Sequence, residues 1–207
     1  MATGIEGFNR VYHGFLDFMR RLDWLAPLAL RLFVGPIMIL AGWNKITGIE
    51  NVAAWFGNPD WGLGLPMPTL MAWLAALTEF IGGIMLVIGL GVRLAAIPLM
   101  ITMAVAAVAA HWDNGWSALP DKTLMMPWEW RPDLIEQGLE RKERIVSILK
   151  EHGNYSWLTE AGAVTILKNG IEFAATYFVM LLALFYLGAG RFFSVDYWLA
   201  RRYGRAE

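Results

Sequence analysis

Apolar positions fall into four long runs separated by polar or mixed stretches. The runs cover roughly 25–45 (LAPLALRLFVGPIMILAGWNK), 68–90, 94–111 (LAAIPLMITMAVAAVAAH) and 171–190 (IEFAATYFVMLLALFYLGAG). A helix needs about 20 mostly apolar residues to cross the hydrocarbon core of a bilayer. The pattern predicts an all-α membrane protein, a four-transmembrane-helix bundle. Long buried helices of a soluble protein are the alternative, and so many runs with so few charges argue against it. Residues 1–24 are mixed and amphipathic, without the small-residue cleavage site of a signal peptide, so span one is expected to stay in the mature protein.

Between the runs, 46–67 reads as turns, with Gly57, Pro59, Gly62, Gly64 and Pro66 ahead of Pro68. Trp55 and Trp61 are expected at the membrane interface. The stretch 112–170 is a long insertion. Within it Ile135, Leu139, Val146 and Leu149 recur at helical spacing with charges on the other face, and Gly153 marks a stop. This predicts an amphipathic helix lying on the membrane surface, on the 46–67 loop, or on a partner protein. Four segments result: a cytoplasmic N-terminal segment 1–24, spans one to three over 25–111, a periplasmic loop insertion over 112–170, and span four with a basic cytoplasmic tail over 171–207.

Basic residues in short flanks set orientation. Arg10, Arg20 and Arg21 precede span one, Arg93 sits in the turn between spans two and three, and Arg191, Arg201, Arg202 and Arg205 follow span four, whereas 46–67 has no Lys or Arg. Both termini are therefore expected in the cytoplasm, with an outer helical loop.

Composition narrows the function classes. The 207 residues are 57% hydrophobic and 17% charged, with 11 Trp, against about 25% charged in soluble domains. A net charge of −1 argues against a nucleic-acid partner. The absence of Cys excludes disulfides, persulfide relays, thiolate metal sites and iron–sulfur clusters within this chain. His13, His111 and His152 are the three histidines and only His111 adjoins a span, so no haem is expected and no metal site is assigned. Met125 and Met126 in the insertion are noted only as soft-metal donors.

The candidate chemistry lies in charges at or within the spans: Arg31 and Lys45 on span one, Glu79 in span two, His111 closing span three and Glu172 opening span four. An ionised group at the bilayer centre costs on the order of 3 kcal/mol, so such groups face the bundle interior and pair. At about 100° per residue, Arg31, Gly35, Met38, Gly42 and Lys45 share a stripe. Glu79 shares one with Ala72, Ala75, Ala76, Gly82, Gly83 and Leu86. Small residues on both mark helix contacts. Ala104 and Ala107 fall on the His111 side of span three. Depth predicts an Arg31–Glu79 pair at the base and a Lys45–His111–Glu172 cluster at the mouth of an outward-facing pocket, with Trp43, Trp112 and Trp116 beside it. One reading is a register-fixing ion pair with snorkelling outer charges. The other is a proton-handling or quinone head-group site, in which Glu79, Arg31, Lys45, His111 and Glu172 are catalytic and Trp43, Lys45, His111 and Trp112 bind the quinone.

The stretches RLFVGPIMILAGWNKI, LTEFIGGIMLVIGLGVRLAAI, HWDNGW and NGIEFAATYFVMLLALFYLGAGRFFSVD resemble the DoxX family of small four-helix bacterial membrane proteins. The resemblance rests on the Arg in span one, the Lys at its end, the Glu-x-x-Gly-Gly of span two, and Gly188, Gly190, Arg191, Ser194 and Asp196. It implies quinone-linked redox chemistry or a membrane anchor for a partner complex. The insertion after HWDNGW departs from the compact pattern and is similar to the HvfX subgroup found beside bufferin (copper-binding peptide) maturation proteins, which implies a role in copper homeostasis.

Three functions follow as expectations. The first is a quinone-dependent oxidoreductase subunit that exchanges electrons between a periplasmic-side partner or substrate and the quinone pool. The second is a non-enzymatic anchor or assembly subunit working through the insertion. The third is a small proton-coupled transporter, hinted at only by Pro36 and Pro98. The lipid bilayer, a membrane or periplasmic protein and a second copy of the chain are the expected partners.

Overall fold

The computed structural model describes residues 2–204; Arg205 of the basic tail lies outside them. Among the described residues every regular element is helical. The helices are α1 (Ala2–Arg21), α2 (Leu25–Thr47), α3 (Ile49–Gly57), α4 (Pro68–Ile88), α5 (Val92–Val105), α6 (Pro132–His152), α7 (Tyr155–Leu158), α8 (Glu172–Leu187) and α9 (Val195–Arg202). A π-helical turn, Ala106–His111, and a 3-10 turn, Trp112–Asn114, extend α5.

Three helical runs are long and apolar enough to cross a membrane: Leu25–Thr47, Pro68–Ile88 and Val92–Asn114. The fourth expected span is shorter than its apolar run. Helix α8 has 16 residues and stops before Gly188, whose φ is +76°. It is about 24 Å long, less than the ~30 Å core. Helices α2 and α5 continue through Pro36 and Pro98, so the two prolines do not make these helices discontinuous.

The chain divides into two compact units, one from the N-terminus to Thr102 together with the residues from Val179, the other Met103–Phe178. In the first unit α2 packs antiparallel on α4. Gly35 faces Gly83 and Val87, Gly42 faces Ala76 and Phe80, and Gly82, on another side of α4, packs on Leu99 of α5; all four of the residues Gly35, Gly42, Gly82 and Gly83 are buried. A Cβ on Gly83 would lie 2.7 Å from Ile39 N, and one on Gly42 would lie 2.7 Å from Ala76 O. The two backbones therefore touch. Between helices in lipid, where apolar burial drives little, such close van der Waals contact is what holds them. The outward faces are apolar and exposed, with Leu32, Phe33, Leu40, Leu74, Leu77 and Ile81 among them.

The 46–67 stretch is not all turns. Its first half is α3, which packs on α4. After Gly48 the next glycine or proline is Gly57, which leaves Ile49–Phe56 free to form a helix. The chain then folds back, with Leu63 N donating to Trp55 O and Leu65 N to Phe56 O. Trp55 is half-buried and Trp61 exposed.

In the second unit the backbone of 115–118 pairs with 168–172. Asn169 N donates to Ala118 O, Gly170 N to Ser117 O and Ile171 N to Gly115 O. The predicted amphipathic helix is α6, ended at Gly153, whose N–H donates to Leu149 O. Ile135 is buried; Leu139, Val146 and Leu149 are half-buried. Gly138 fits against Pro120.

Candidate intramembrane charge site

Arg31 is buried, as its stripe predicts, but its partners are carbonyls. Its Nε donates to Leu86 O at 2.8 Å, and one terminal nitrogen to Val87 O at 3.1 Å and Phe193 O at 2.7 Å. The other donates to Ala189 O. Leu86 and Val87 lie in the last turn of α4, where carbonyls lack intrahelical donors and the helix dipole is negative. A guanidinium, with five N–H groups in a planar fork, suits that end. Gly89 leaves α4 at φ +73°, and a Cβ there would lie 2.8 Å from Arg31 Cζ and 2.6 Å from Ser194 Cβ. Only glycine combines this φ with that approach.

The closing motif completes the same end of the first unit. Asp196 accepts from Gly91 N at 2.7 Å and Val92 N at 3.1 Å, satisfying first-turn donors of α5. Ser194 Oγ donates to Gly190 O and accepts from Tyr197 N, capping α9. Arg191 bonds Asp23 Oδ1 at 2.6 Å and Arg20 O at 3.1 Å. These residues, distant in sequence, tie the α1–α2 junction, the α4–α5 turn and the α8–α9 link into one lock.

Glu79 pairs with Lys45, Nζ to Oε2 at 2.5 Å. The Arg31–Glu79 pair expected from the sequence is not formed, and helix register is the reason. Gly42 sits against Ala76 and Phe80. Lys45 is three residues, about 4.5 Å, beyond Gly42, whereas Arg31 is eleven residues, about 16 Å, in the other direction. Arg31 lies level with Leu86, about 10 Å along α4 from Glu79. Lys45 thus reaches inward to the carboxylate. The Glu79 side chain is 4% exposed and that of Lys45 28%, so the carboxylate is enclosed while part of the lysine side chain stays exposed. Trp43, exposed one residue from Gly42, lies with its ring centroid 5.8 Å from that of Phe80.

The other predicted residues take partners within the second unit. His111 ends the π turn, where each residue advances less than about 100°, so the α-helical phase that put Ala104 and Ala107 on its side does not hold there. Its Nδ1 lies 3.0 Å from Asn169 O; a carbonyl only accepts, so Nδ1 carries the proton and Nε2 is the basic nitrogen. Glu172 Oε2 accepts from Ala118 N at 2.8 Å. Trp112 stacks on Trp130 at 4.8 Å, and Trp130 Nε1 donates to Trp112 O. Trp116 packs edge-on to Trp128.

Sequence reading missed Glu129 and Lys168. They form an ion pair at 2.7 Å with side chains 1% and 3% exposed. Glu129 also accepts from Trp116 N, Ser117 N and Arg131 N. Burial opposes its charge, but the Lys168 hydrogen bond and the three backbone N–H groups outweigh it and hold the carboxyl at about 2. Gly115 enters this site at φ +80°, where a Cβ would meet Glu129, Arg131 and Lys168. One signal was present in the sequence, a carboxylate between two tryptophans in PWEWRP.

Residues 26–112 match the family model DoxX. Over 84 residues the chain is 29% identical to the Bacillus subtilis (strain 168) protein named "Putative oxidoreductase CatD". That alignment covers 41% of this chain and 58% of the relative, so the chain spans little more than half of that protein's length. No solved structure matches. The matched stretch holds Arg31, Lys45 and Glu79, which places the intramembrane charges of this membrane-embedded protein in its DoxX-like part.

Proposed function

We propose that this protein is a quinone-linked redox subunit of the DoxX type in the bacterial inner membrane, with four spans and both termini in the cytoplasm. It exchanges electrons between a periplasmic-side partner and the quinone pool. The observation that carries the reading is the Lys45–Glu79 pair: an enclosed carboxylate joined at 2.5 Å to a lysine whose side chain is only part-buried. Support comes also from the DoxX match and from the CatD relative named as an oxidoreductase.

The donor set fits a quinone head group. A quinone carbonyl needs a hydrogen-bond donor and its ring needs an apolar or aromatic face; Lys45 Nζ offers the first, and Trp43, two residues earlier on α2 and packed on Phe80, the second. When bound, a quinone supplies two-electron, two-proton acceptor chemistry, its electrons coming from a reductant held by the partner. Lys45 and Glu79 keep an exchangeable proton between Nζ and Oε2. Arg31 ties the end of α4 to the residues beyond α8. In this reading His111, through its basic Nε2, and Glu172 and Trp112 serve proton exchange on the periplasmic side. In this reading a copper-linked role, as in the HvfX-like subgroup, is carried by the partner.

The test is quinone retention and reduction by the protein purified from its native membrane, alone and with its partner. Lys45→Met and Glu79→Gln should each abolish reduction while the protein stays folded. Failure to retain or reduce any quinone in either form sinks the proposal.

A second reading, an anchor subunit, draws on α6, where Ile145 and Ile148 are exposed on a helix whose folded base holds Glu129. Ile145→Glu with Ile148→Glu would then abolish partner capture while Glu79→Gln leaves the complex active.

A further inference from the structure

The lock around Arg31 leaves a groove on the surface of the first unit that the redox reading does not use. Its walls are Arg93 and Leu94 at the start of α5, Leu187 and Gly188 at the end of α8, and Tyr197 and Ala200 of α9. Leu94 is 72% and Leu187 53% exposed, and both continue the apolar outer faces of α5 and α8. Arg93 donates to Tyr186 O at 3.3 Å. Among the described residues no carboxylate lies within ion-pair distance of it. Asp196, also on the groove, has both oxygens engaged by Gly91 N and Val92 N.

Helix α9 closes one side. It turns Asp196, Tyr197 and Ala200 to the groove and leaves Val195, Trp198 and Leu199 exposed on the other face. Arg201 stacks over Trp198 at 5.8 Å, and Arg202 follows. A short helix with an exposed Trp–Leu face and flanking arginines, at the ends of membrane-spanning helices, has the make-up of a helix lying in the interface. Cations at headgroup level beside an apolar wall match a phospholipid, whose phosphate and acyl chain are joined. A soluble anion has no use for the apolar wall.

We infer that this groove is a binding site for an anionic phospholipid, its phosphate held by Arg93 and its acyl chain laid against Leu94 and Leu187, with α9 seated in the same leaflet and Arg201, outside the groove over Trp198, adding positive charge at headgroup level. The positions of the basic residues assign that leaflet to the cytoplasmic side. The site is independent of the quinone reading.

The experiment uses the full-length protein, delipidated in detergent and titrated with phosphatidylglycerol or phosphatidylcholine while bound lipid is counted by native mass spectrometry. Phosphatidylglycerol should bind about 10-fold more tightly, and the preference should shrink in about 1 M salt, where screening is short-ranged. Arg93→Gln with Arg201→Gln should reduce the preference to about 2-fold or less, and Arg93→Lys with Arg201→Lys should keep most of it. Both pairs change exposed side chains, so an unchanged melting temperature confirms the fold. Equal binding of the two lipids, or full preference in the glutamine variant, overturns the proposal. So does displacement by inorganic phosphate at millimolar concentration, which would mark a free-anion site. Loss of preference in the lysine variant as well would show that charge is not what the groove reads, and overturns it too.

Discussion

Lys45 reaches inward along α2 to place its ammonium 2.5 Å from the enclosed carboxylate of Glu79 on α4. The two partners are unequally buried, so their removal should be unequally tolerated. Lys45→Met strands a carboxylate without a counter-charge and should cost about 3–5 kcal/mol. Glu79→Gln leaves an ammonium that can turn to water and should cost less. The double variant Lys45→Met, Glu79→Leu should regain most of the loss. Thermal unfolding in detergent measures all three; equal losses for the two single variants would contradict the asymmetry.

Arg31 serves carbonyls from two segments, Leu86 and Val87 on α4 and Ala189 and Phe193 beyond α8. A lysine has three donors on one atom and cannot span them. Arg31→Lys should therefore destabilise by about 2–3 kcal/mol, since buried carbonyls lose their partners. Proteolysis within 188–194 should accelerate with it.

Gly89 and Arg31 meet at the same point, so their substitutions should not add. Gly89→Ala forces a Cβ to 2.8 Å from Arg31 Cζ at a φ of +73°. The single change should cost on the order of 2 kcal/mol. The double variant with Arg31→Lys should fall short of the sum by at least about 0.5 kcal/mol. Full additivity in a double-mutant cycle would show that the two act separately.

Glu129 makes the second unit acid-sensitive. Its carboxyl is held at about 2 instead of the ordinary 4.5. Above 4.5 the folded and unfolded forms are both ionised, and the full stabilisation is present. Between 4.5 and 2 the unfolded form takes up a proton that the folded form does not, so stability falls with pH, and below about 2 the contribution is gone. The shift corresponds to about 3 kcal/mol. Near-ultraviolet circular dichroism, dominated by the tryptophans, should report the loss across that window. Glu129→Gln should be less stable at neutral pH and should flatten the dependence.

The apolar periodicity alone determined three helices long enough to span a membrane, their small-residue contact stripes and the inward turn of Arg31 and Glu79. These follow from counting residues per turn, because a helix in lipid must satisfy its backbone internally and turn its charges away from the acyl chains. Helix α3 escaped that reading because the glycines after it drew the whole stretch toward turns. Helix α8 proved shorter than its apolar run because the run continues to Gly190 while Gly188 already turns the chain. The π turn before His111 leaves no periodic mark. Pairing was decided by tertiary structure: the register of α2 on α4, set where Gly42 meets Ala76 and Phe80, gives Glu79 to Lys45 and leaves Arg31 to the helix ends. Glu129 and Lys168, 39 residues apart, became partners only when the backbone of 115–118 paired with that of 168–172. A sequence shows which charges must find a partner within the fold, but only the packed register brings a particular pair within a few ångströms.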